Sequence, residues 1–332
     1  MILVTGGTGL VGSYLLLELT KKDNPIRAIY RSKSSIEKTK NIFDAFQAME
    51  RFKKIEWFQA NITNYFKLKD AFQGVSKVYH AAAKVSFAGK DADEMMKTNI
   101  EGTTHIANLS LEMKIDKLCY ISSVSSLGSY AKGCTDEEAL WQKTDTTSLY
   151  SISKYYAENE VWRASEEGLD VVIVNPTTIM GYGDWRESSL TIIKKVADGL
   201  SFYPPGSNGF IGVKDVSTVA ITLMNSDIKG QRYILAAENI SFKNLLSTIA
   251  IALGKKPPKY AAKKWMATSM LFGDQLLAML SGKKAILNKG SIHTAFNRKC
   301  FDTDKIKKEI GYTFQPISEV IQEAAIFYKR QL

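Results

Sequence analysis

Cysteine and histidine are scarce, and each shortage argues against a class of site. The 332-residue chain contains three of each. Cys119, Cys134 and Cys300 are widely spaced and form no Cys-x-x-Cys pair, so we expect no disulfide framework and a reducing, cytoplasmic environment. Since the histidines form no pair with the spacing of metal ligands, we predict no metal.

Long apolar runs are also absent. No run approaches the roughly 18 residues that a membrane-spanning helix needs, and no signal peptide precedes the apolar segment at residues 1–5. We therefore expect no transmembrane segment.

Acidic residues are outnumbered by basic ones, 34 to 44, which gives a net charge of +10. Such a balance suits nucleic acid, an anionic membrane or anionic ligands, but it also describes a Lys-rich surface. Nothing besides the charge points to nucleic acid, so we predict no nucleic-acid partner.

The first half of the chain alternates β-branched apolar segments with amphipathic ones. The alternation predicts a doubly wound parallel sheet with helices on both faces, whose ligands bind at the carboxyl ends of the strands. The predicted strands are 1–5, 25–30, 54–60, 77–83, 117–123 and 169–175. The predicted helices between them are 10–22, 34–52, 64–72, 91–114 and 147–167.

A glycine-rich loop, "VTGGTGLVG" at residues 4–12, joins the first strand to the first helix. In this context Gly6 permits a tight turn, Gly9 lets a diphosphate approach the backbone, and Gly12 allows the helix to pack closely. Free N–H groups and the helix dipole then attract the anion. The loop predicts a dinucleotide site.

The TGxxGxxG spacing resembles that of the extended short-chain dehydrogenase/reductases, which include sugar-nucleotide epimerases, dihydroflavonol reductases and 3β-hydroxysteroid dehydrogenases. The resemblance continues, in family order, through "HAAA" (80–83), "NIEGT" (99–103), "SSVSSLG" (122–128), "YSISK" (150–154), "NPTTIMGYGD" (175–184) and "FIGVKDV" (210–216).

The resemblance implies a two-domain enzyme. We predict a Rossmann dinucleotide-binding domain formed by residues 1–175 with about 210–238. A smaller, mostly helical substrate domain is predicted from residues 176–209 and 239–332.

The resemblance also implies which residues bind the cofactor. They are Gly6, Thr8, Gly9, Leu10, Val11, Tyr30, Arg31, Asn61, Ile62, Ala81, Ala82, Ala83, Lys84, Asn99, Ile121, Tyr150, Lys154, Pro176 and Thr177.

The end of the second strand favours NADP(H). An NAD site usually has an acidic residue there to bind the ribose 2′-hydroxyl. This chain has Tyr30 and Arg31 instead, with Lys33 nearby, and a guanidinium attracts a 2′-phosphate. NAD(H) is the alternative, with Arg31 solvated. Asn61 stands where the family often has an aspartate, and its amide oxygen can accept a hydrogen bond from adenine.

Ser123, Tyr150 and Lys154 form the predicted catalytic group. Helical periodicity places Tyr150 and Lys154 on one face, where an ammonium and an oxidised nicotinamide favour the phenolate. Ser123 ends the fifth strand and matches the family's SSxxxxG pattern, although Ser122 and Ser125 are alternatives. Tyr150 then exchanges the proton of a substrate oxygen while hydride moves at the nicotinamide.

The substrate is predicted to be small and apolar. The Met-rich stretch 265–282 has lysines on both sides, and it reads as a helix covering an apolar pocket, with peripheral contact to a membrane as the less favoured alternative. Three functions remain open: an NADP-dependent ketone or alcohol oxidoreductase, a nucleotide-sugar epimerase or dehydratase with tightly bound NAD, and a non-catalytic dinucleotide sensor. Family members are monomers or homodimers, so we predict either a monomer or a homodimer.

Overall fold

The computed structural model describes residues 1–86, 91–130, 132–266 and 295–331. Most of the Met-rich stretch 265–282 therefore lies outside the described residues. The strands in the described ranges are β1 (Ile2–Thr5), β2 (Ile26–Tyr30), β3 (Ile55–Gln59), β4 (Lys77–His80), β5 (Lys117–Ile121), β6 (Val171–Pro176), β7 (Thr178–Met180), β8 (Phe202–Tyr203), β9 (Ser207–Gly212), β10 (Gln231–Leu235), β11 (Glu238–Ser241) and β12 (Tyr260–Ala261). The helices in the same ranges are α1 (Leu10–Leu19), α2 (Lys33–Ala45), α3 (Met49–Phe52), α4 (Tyr65–Ala71), α5 (Ala92–Met96), α6 (Gly102–Glu112), α7 (Leu149–Glu166), α8 (Thr191–Ala197), α9 (Val213–Met224), α10 (Phe242–Leu253), α11 (Asp304–Ile310) and α12 (Ile317–Arg330).

Seven of these strands form a parallel sheet in the order β10-β6-β5-β4-β1-β2-β3. The chain builds outward from β1 to β3, then crosses back to add β4 on the other side of β1. This reversal opens a crevice beyond the carboxyl ends of β1 and β4, where doubly wound folds bind ligands. The predicted fold class, a doubly wound Rossmann sheet, is confirmed.

Alternation along each strand divides the core into two layers. Leu3 and Val4 are both fully buried, but they belong to different apolar clusters on opposite faces of the sheet. Helices α1, α2 and α9 cover one face, and α4, α6 and α7 cover the other. Burial on both faces explains why the strands read as nearly continuous apolar runs.

The second half contains small sheets as well as helices. Strands β7, β9 and β11 form a three-stranded sheet, and β8 pairs with β12. Within the stretch 176–209, the chain forms the strands β7 and β8 and the helix α8. We propose the same division into a dinucleotide-binding and a substrate domain, since β10 joins the main sheet and α9 packs on its face.

Two predicted helices differ from the observed ones. The segment 34–52 is broken into α2 and α3, because Gln47 takes a left-handed conformation with φ of 52°. The segment 91–114 is helical nearly throughout, but Lys97–Glu101 forms a π-helical turn between α5 and α6. Such turns are often found at functional sites.

The expectation about the cysteines is wrong. Cys134 and Cys300 form a disulfide across 166 residues of sequence, while Cys119 is a buried free thiol. The loop after β5 and the segment before α11 meet in space, which sequence spacing does not reveal. Cysteine usage therefore no longer supports a reducing environment.

Among the described residues, no helix is both long and apolar enough to cross a membrane.

Candidate active site

A large cleft runs along the carboxyl edge of the parallel sheet. Its volume is about 2440 Å³, larger than the roughly 300–1,000 Å³ of an ordinary small-molecule pocket. The glycine loop, the segment after β4 and the segment after β5 form one part of its wall. The stretches 176–209 and 295–301 contribute the other part. The cleft therefore has room for a dinucleotide and a second ligand.

The glycine loop has the geometry of an anion cradle. Gly6 has φ of 68°, and a Cβ atom there would lie 2.6 Å from the amide nitrogen of Ala82. A Cβ on Gly12 would lie 2.0 Å from the carbonyl oxygen of Gly6. Gly9 begins α1 without any side-chain cap, which leaves N–H groups of the first turn directed to the cleft. These features fit a bound diphosphate.

Most of the predicted cofactor residues lie together in the wall of the cleft. Those that line it are Gly6, Thr8, Gly9, Leu10, Val11, Arg31, Asn61, Ile62, Ala81, Ala82, Ala83, Lys84, Ile121, Tyr150, Lys154, Pro176 and Thr177. Tyr30 and Asn99 do not: the Tyr30 ring packs edge-on against Trp57, with centroids 6.3 Å apart, and Asn99 is buried behind the wall.

The end of β2 presents a cation and no carboxylate of its own. Arg31 is exposed, and its guanidinium is 3.9 Å from the carboxylate of Glu94. Glu94 also pairs with Lys84, which in turn lies 3.8 Å from Asp91. Because the Arg31–Glu94 contact is long and exposed, it contributes little, and Arg31 is available to a phosphate.

Ser123, Tyr150 and Lys154 meet at the edge where β5 ends. Ser148 caps α7 by accepting a hydrogen bond from the Ser151 amide at 3.1 Å, which places Tyr150 in the first helical turn. Ser123 and Tyr150 both line the cleft. Burial raises the pKa of Tyr150, and a side-chain hydrogen bond with Ser123 partly opposes that change, so the pKa is raised and not lowered as the Tyr–Lys spacing predicts.

Lys154 lies one turn further along α7 and is almost completely buried. Its ammonium donates to the Tyr120 hydroxyl at 2.7 Å and to the Ile121 carbonyl at 3.0 Å. Burial lowers the pKa of Lys154 to about 7, and the charge of Glu158 opposes that shift. The amine is thus held under the cleft floor at the end of β5.

Beneath Lys154, a buried polar chain fills the space between β1, β4 and α6. His80 is fully buried, and its ring forms hydrogen bonds through Nδ1 with the Thr5 hydroxyl at 2.6 Å and through Nε2 with the Thr103 hydroxyl at 3.0 Å. Its ring stacks on that of Tyr120 at 5.2 Å. Burial, with a contribution from Lys154, lowers the pKa of His80 to about 3, so the imidazole is neutral. His80 is therefore a structural partner of the site.

Glu158 is a residue of the site that the sequence analysis missed. Its buried Oε2 accepts hydrogen bonds from Ser122, from Ser126 at 2.6 Å and from Asn175 at 2.8 Å. Asn175 also donates to the carbonyl of Ser123 at 3.2 Å. The regular spacing of 150, 154 and 158 along one helix face is the sequence signal that could have identified it.

Arg232 neutralises Glu158. The guanidinium lies 3.1 Å from Oε1 of Glu158 and also donates to the Glu137 carbonyl. A buried carboxylate needs such a partner, because an unpaired one is strongly disfavoured. Together these bonds fix the turn that follows β5, and with it Ser123.

Asn99 lies within the π-helical turn and acts on the site from behind. Its side-chain nitrogen donates to Ser153 at 2.9 Å and to the Lys84 carbonyl at 3.0 Å, while its oxygen accepts from the Lys84 amide at 2.7 Å. Asn99 therefore ties the segment after β4 to helix α7. It supports the wall without lining it.

In the described ranges, no group of three or more His, Cys, Asp or Glu side chains could hold a metal ion.

Comparison with known proteins agrees with this geometry. The profile of the NAD dependent epimerase/dehydratase family matches residues 2–236. The chain is 25% identical to sterol demethylase protein B of Methylococcus capsulatus, covering 99% of this chain and 98% of that protein. It is 26% identical to dihydroflavonol 4-reductase of Zea mays, covering 78% and 75% respectively.

Among solved structures, the UDP-glucose 4-epimerase of Thermotoga maritima, determined with UDP-glucose, superposes with a TM-score of 0.78. It is 17% identical over 99% of each chain, and this likeness concerns the fold. Since the family profile spans most of the chain, and the glycine loop and the Ser–Tyr–Lys group have the geometry described above, this protein belongs to the NAD dependent epimerase/dehydratase family of nicotinamide-dependent enzymes.

Proposed function

We propose that this protein is an NADP(H)-dependent oxidoreductase that interconverts a ketone or aldehyde and an alcohol on a small apolar substrate. One observation carries the proposal: Ser123, Tyr150 and Lys154 line the same cleft where β5 ends, and the amine of Lys154 is held there by the Ile121 carbonyl. This arrangement supplies a proton to an oxygen held at the carboxyl edge of the sheet.

The protein's contribution is binding, orientation and proton transfer. A nicotinamide supplies or accepts the hydride when it is bound. Ser123 donates a hydrogen bond to the substrate oxygen and polarises it, and Tyr150 gives that oxygen its proton in the direction of reduction. Lys154 stabilises the resulting phenolate, and the Glu158 network keeps Ser123 in place.

Arg31 supports the choice of NADP(H). It is exposed at the end of β2, where an NAD site usually has a carboxylate that would repel a 2′-phosphate. A guanidinium can bind the phosphate through two parallel hydrogen bonds. Lys33, Ser32 and Ser35 lie on the same turn, the two serines in the cleft wall.

The outer walls of the cleft support an apolar substrate. They include aromatic and aliphatic side chains that no nucleotide phosphate would require, namely Leu127, Leu140, Trp141, Phe202 and Phe296. Two of the relatives bear the names of enzymes acting on a sterol and on a dihydroflavonol. Both names describe largely apolar ring systems.

The first experiment measures steady NADPH oxidation with a panel of apolar ketones that includes a dihydroflavonol. We expect turnover with at least one compound. In Tyr150→Phe, kcat should fall by about 10²–10⁴-fold, with the Kd for NADPH unchanged within two-fold. Tyr156→Phe is the matched control, because Tyr156 lies on the same helix but is 49% exposed. Equal turnover in wild type and Tyr150→Phe would remove Tyr150 from the mechanism.

The second experiment tests the cofactor. Arg31→Ala should weaken NADPH binding by about 10–100-fold, since a hydrogen bond to a charged group contributes roughly 1.5–3 kcal/mol. NADH binding should change by less than two-fold. A parallel loss for both cofactors, or a wild-type preference for NADH, would contradict the assignment.

A nucleotide-sugar epimerase is the second candidate, because the substrate side of the cleft also contains Lys195, Arg298 and Lys299. Cations there suit a diphosphate. An epimerase would purify with tightly bound NAD and would show no net consumption of NADPH. Absorbance of the extracted cofactor and the ketone assay together distinguish the two functions.

We also propose a cytoplasmic location, because an enzyme that turns over NADP(H) needs a continuously reduced cofactor pool. Fractionation of cells expressing the protein from its own gene tests this.

A further inference from the structure

The Cys134–Cys300 disulfide joins two walls of the cleft. Cys134 lies in the long loop between Ser123 and Tyr150, and Cys300 lies in the segment that closes the substrate side. We propose that this disulfide is a redox-modification site, and that its reduction by a dithiol loosens the substrate wall while leaving the cofactor wall intact.

The bond lies within a short backbone pairing, which we call the strap (residues 132–136 and 298–302). The amide of Thr135 donates to the Cys300 carbonyl at 2.9 Å, and the amide of Asp302 donates to the Thr135 carbonyl at 2.8 Å. Thr135 and Phe301 are both buried, and both line the cleft. The disulfide thus fastens a pairing that forms part of the binding surface.

The two sulfurs differ in accessibility. Cys134 is exposed, as are its neighbours Lys132 and Gly133, whereas Cys300 is only partly exposed. A reductant can therefore reach the Cys134 sulfur from solvent. By contrast, Cys119 is fully buried in β5, where burial raises the pKa of its thiol to about 12. Its thiol is consequently inert and does not compete.

Other contacts limit what reduction can release. Asn239 holds Phe301 by two hydrogen bonds at 2.9 and 3.0 Å, and the Glu137 carboxylate accepts a bond from the Ile234 amide at 2.8 Å. At the near end, the Gly128 amide donates to the Ala139 carbonyl at 3.1 Å. Reduction therefore frees residues 132–135 rather than unfolding the domain.

The chemistry is thiol–disulfide exchange. A thiolate of a dithiol reductant attacks Sγ of Cys134, the bond between the two cysteines breaks, and Cys300 leaves as a thiolate that takes up a proton. The second thiol of the reductant then attacks the mixed disulfide and releases Cys134. The protein gains two electrons and two protons, and the reductant becomes a disulfide.

The proposed cytoplasmic location would expose the disulfide to cellular reductants. Disulfides in cytoplasmic proteins are usually transient and redox-sensing, because glutathione and thioredoxin systems reduce them. An exposed bond is also more easily reduced than a buried one. In the proposed cytoplasmic setting the strap is therefore closed under oxidising conditions and open under reducing ones.

The first test uses the full-length protein without substrate. Alkylation in denaturant should label one cysteine before treatment with dithiothreitol and three afterwards. Hydrogen exchange should become at least ten-fold faster at the amides of Thr135 and Asp302 after reduction, and stay unchanged in the glycine loop 6–12. Failure of the disulfide to form in an oxidising glutathione buffer, or hydrogen exchange that is unchanged after reduction, would overturn the proposal.

The second test rests on the proposed function and uses NADPH oxidation with the dihydroflavonol dihydroquercetin. Reduction should raise KM for this probe about five-fold and leave the Kd for NADPH within two-fold. The double variant Cys134→Ser/Cys300→Ser should behave like reduced protein with or without dithiothreitol. If the variant still responds to dithiothreitol, or if NADPH affinity falls in parallel, the strap does not act on the substrate wall.

Two further outcomes distinguish a failure of the proposed function from a failure of the redox proposal. If dihydroquercetin and the ketone panel give no turnover, the proposed function fails, while the exchange experiment still decides whether the strap opens. If the disulfide survives in a glutathione buffer of cytoplasmic composition and in the presence of a thioredoxin system, it is a permanent staple and the redox proposal is wrong.

Discussion

The two sides of the cleft are built by different physical means. The cofactor side consists of the ends of β1, β2 and β4, and its shape follows from backbone: two close glycine contacts and the start of a helix. The substrate side consists of short strands, irregular segments and a disulfide, which connect residues such as Thr135 and Phe301 across half the chain.

This difference determines how each side of the cleft responds to amino-acid substitutions. On the cofactor side a single Cβ atom collides with backbone, so that substitutions there act locally and strongly. On the substrate side a few independent hydrogen bonds and the disulfide hold the wall in place. A substitution there removes one of them and has a correspondingly small effect. The predictions below test this contrast, starting with the largest expected effect.

Gly12→Ala should weaken NADPH binding by about 100-fold, equivalent to about 2.7 kcal/mol. The new Cβ would lie 2.0 Å from the Gly6 carbonyl oxygen, so the helix must move away from the loop that holds the diphosphate. Gly230→Ala is the control, because its φ of 61° adds backbone strain but its surroundings are open. Titration calorimetry measures both, and equal affinities would contradict the rigid-cradle interpretation.

Glu158→Gln should lower kcat about ten-fold and leave KM for NADPH unchanged. An amide cannot accept from Ser122, Ser126 and Asn175 as the carboxylate does, and it leaves Arg232 without a counter-ion. The turn that carries Ser123 then loses its fixed position. Glu160→Gln on the same helix is the matched control, since Glu160 makes a surface pair with Arg163. If the two variants turn over alike, Glu158 does not position the site.

Asn239→Ala should raise KM for an apolar ketone about three-fold without affecting NADPH affinity. The variant loses both hydrogen bonds to the Phe301 backbone, each contributing about 1 kcal/mol. Asn108→Ala is the control, because Asn108 accepts a hydrogen bond from Arg163 between helices α6 and α7, and neither residue lines the cleft. A change in NADPH affinity in Asn239→Ala would mean that the two walls are coupled.

Lys154→Met should change the dependence of stability on pH. Burial lowers the pKa of Lys154 to about 7 in the folded protein, below the usual value of 10.5 that it keeps in the unfolded chain. Between these values the unfolded chain binds the proton and the folded one does not, so wild-type stability gains at most about 1.4 kcal/mol per pH unit as pH rises. Denaturant titrations at pH 7 and 9 should show this gain in wild type and not in the variant.

Much of the fold could be predicted from the sequence. Each strand of the main sheet up to β6 overlaps a predicted apolar segment to within one residue, because strands buried on both faces leave a clear apolar run. The errors are local and have identifiable causes. Gln47 in a left-handed conformation divides one predicted helix, and the π-helical turn around Asn99 follows from packing against Ser153 and Lys84.

The cofactor side of the site was also largely predictable. Seventeen of the nineteen predicted cofactor residues line the cleft. Most of them directly follow a parallel strand, and residues in that position lie at the carboxyl edge of the sheet, where the cleft is. Tyr30 is an exception for the same reason: neighbouring strand residues face opposite ways, and Arg31 faces the cleft while Tyr30 packs on Trp57. The catalytic roles of Ser123, Tyr150 and Lys154 stay predictions.

By itself, the sequence determined the parallel sheet, the phosphate-binding loop and the helix that presents Tyr150 and Lys154, because each depends on short-range periodicity and backbone sterics. Tertiary structure alone decided the Glu158–Arg232 pair, the lowered pKa of Lys154 and the pairing of Cys134 with Cys300. These depend on burial and on contacts between residues far apart in the chain, which no local pattern encodes.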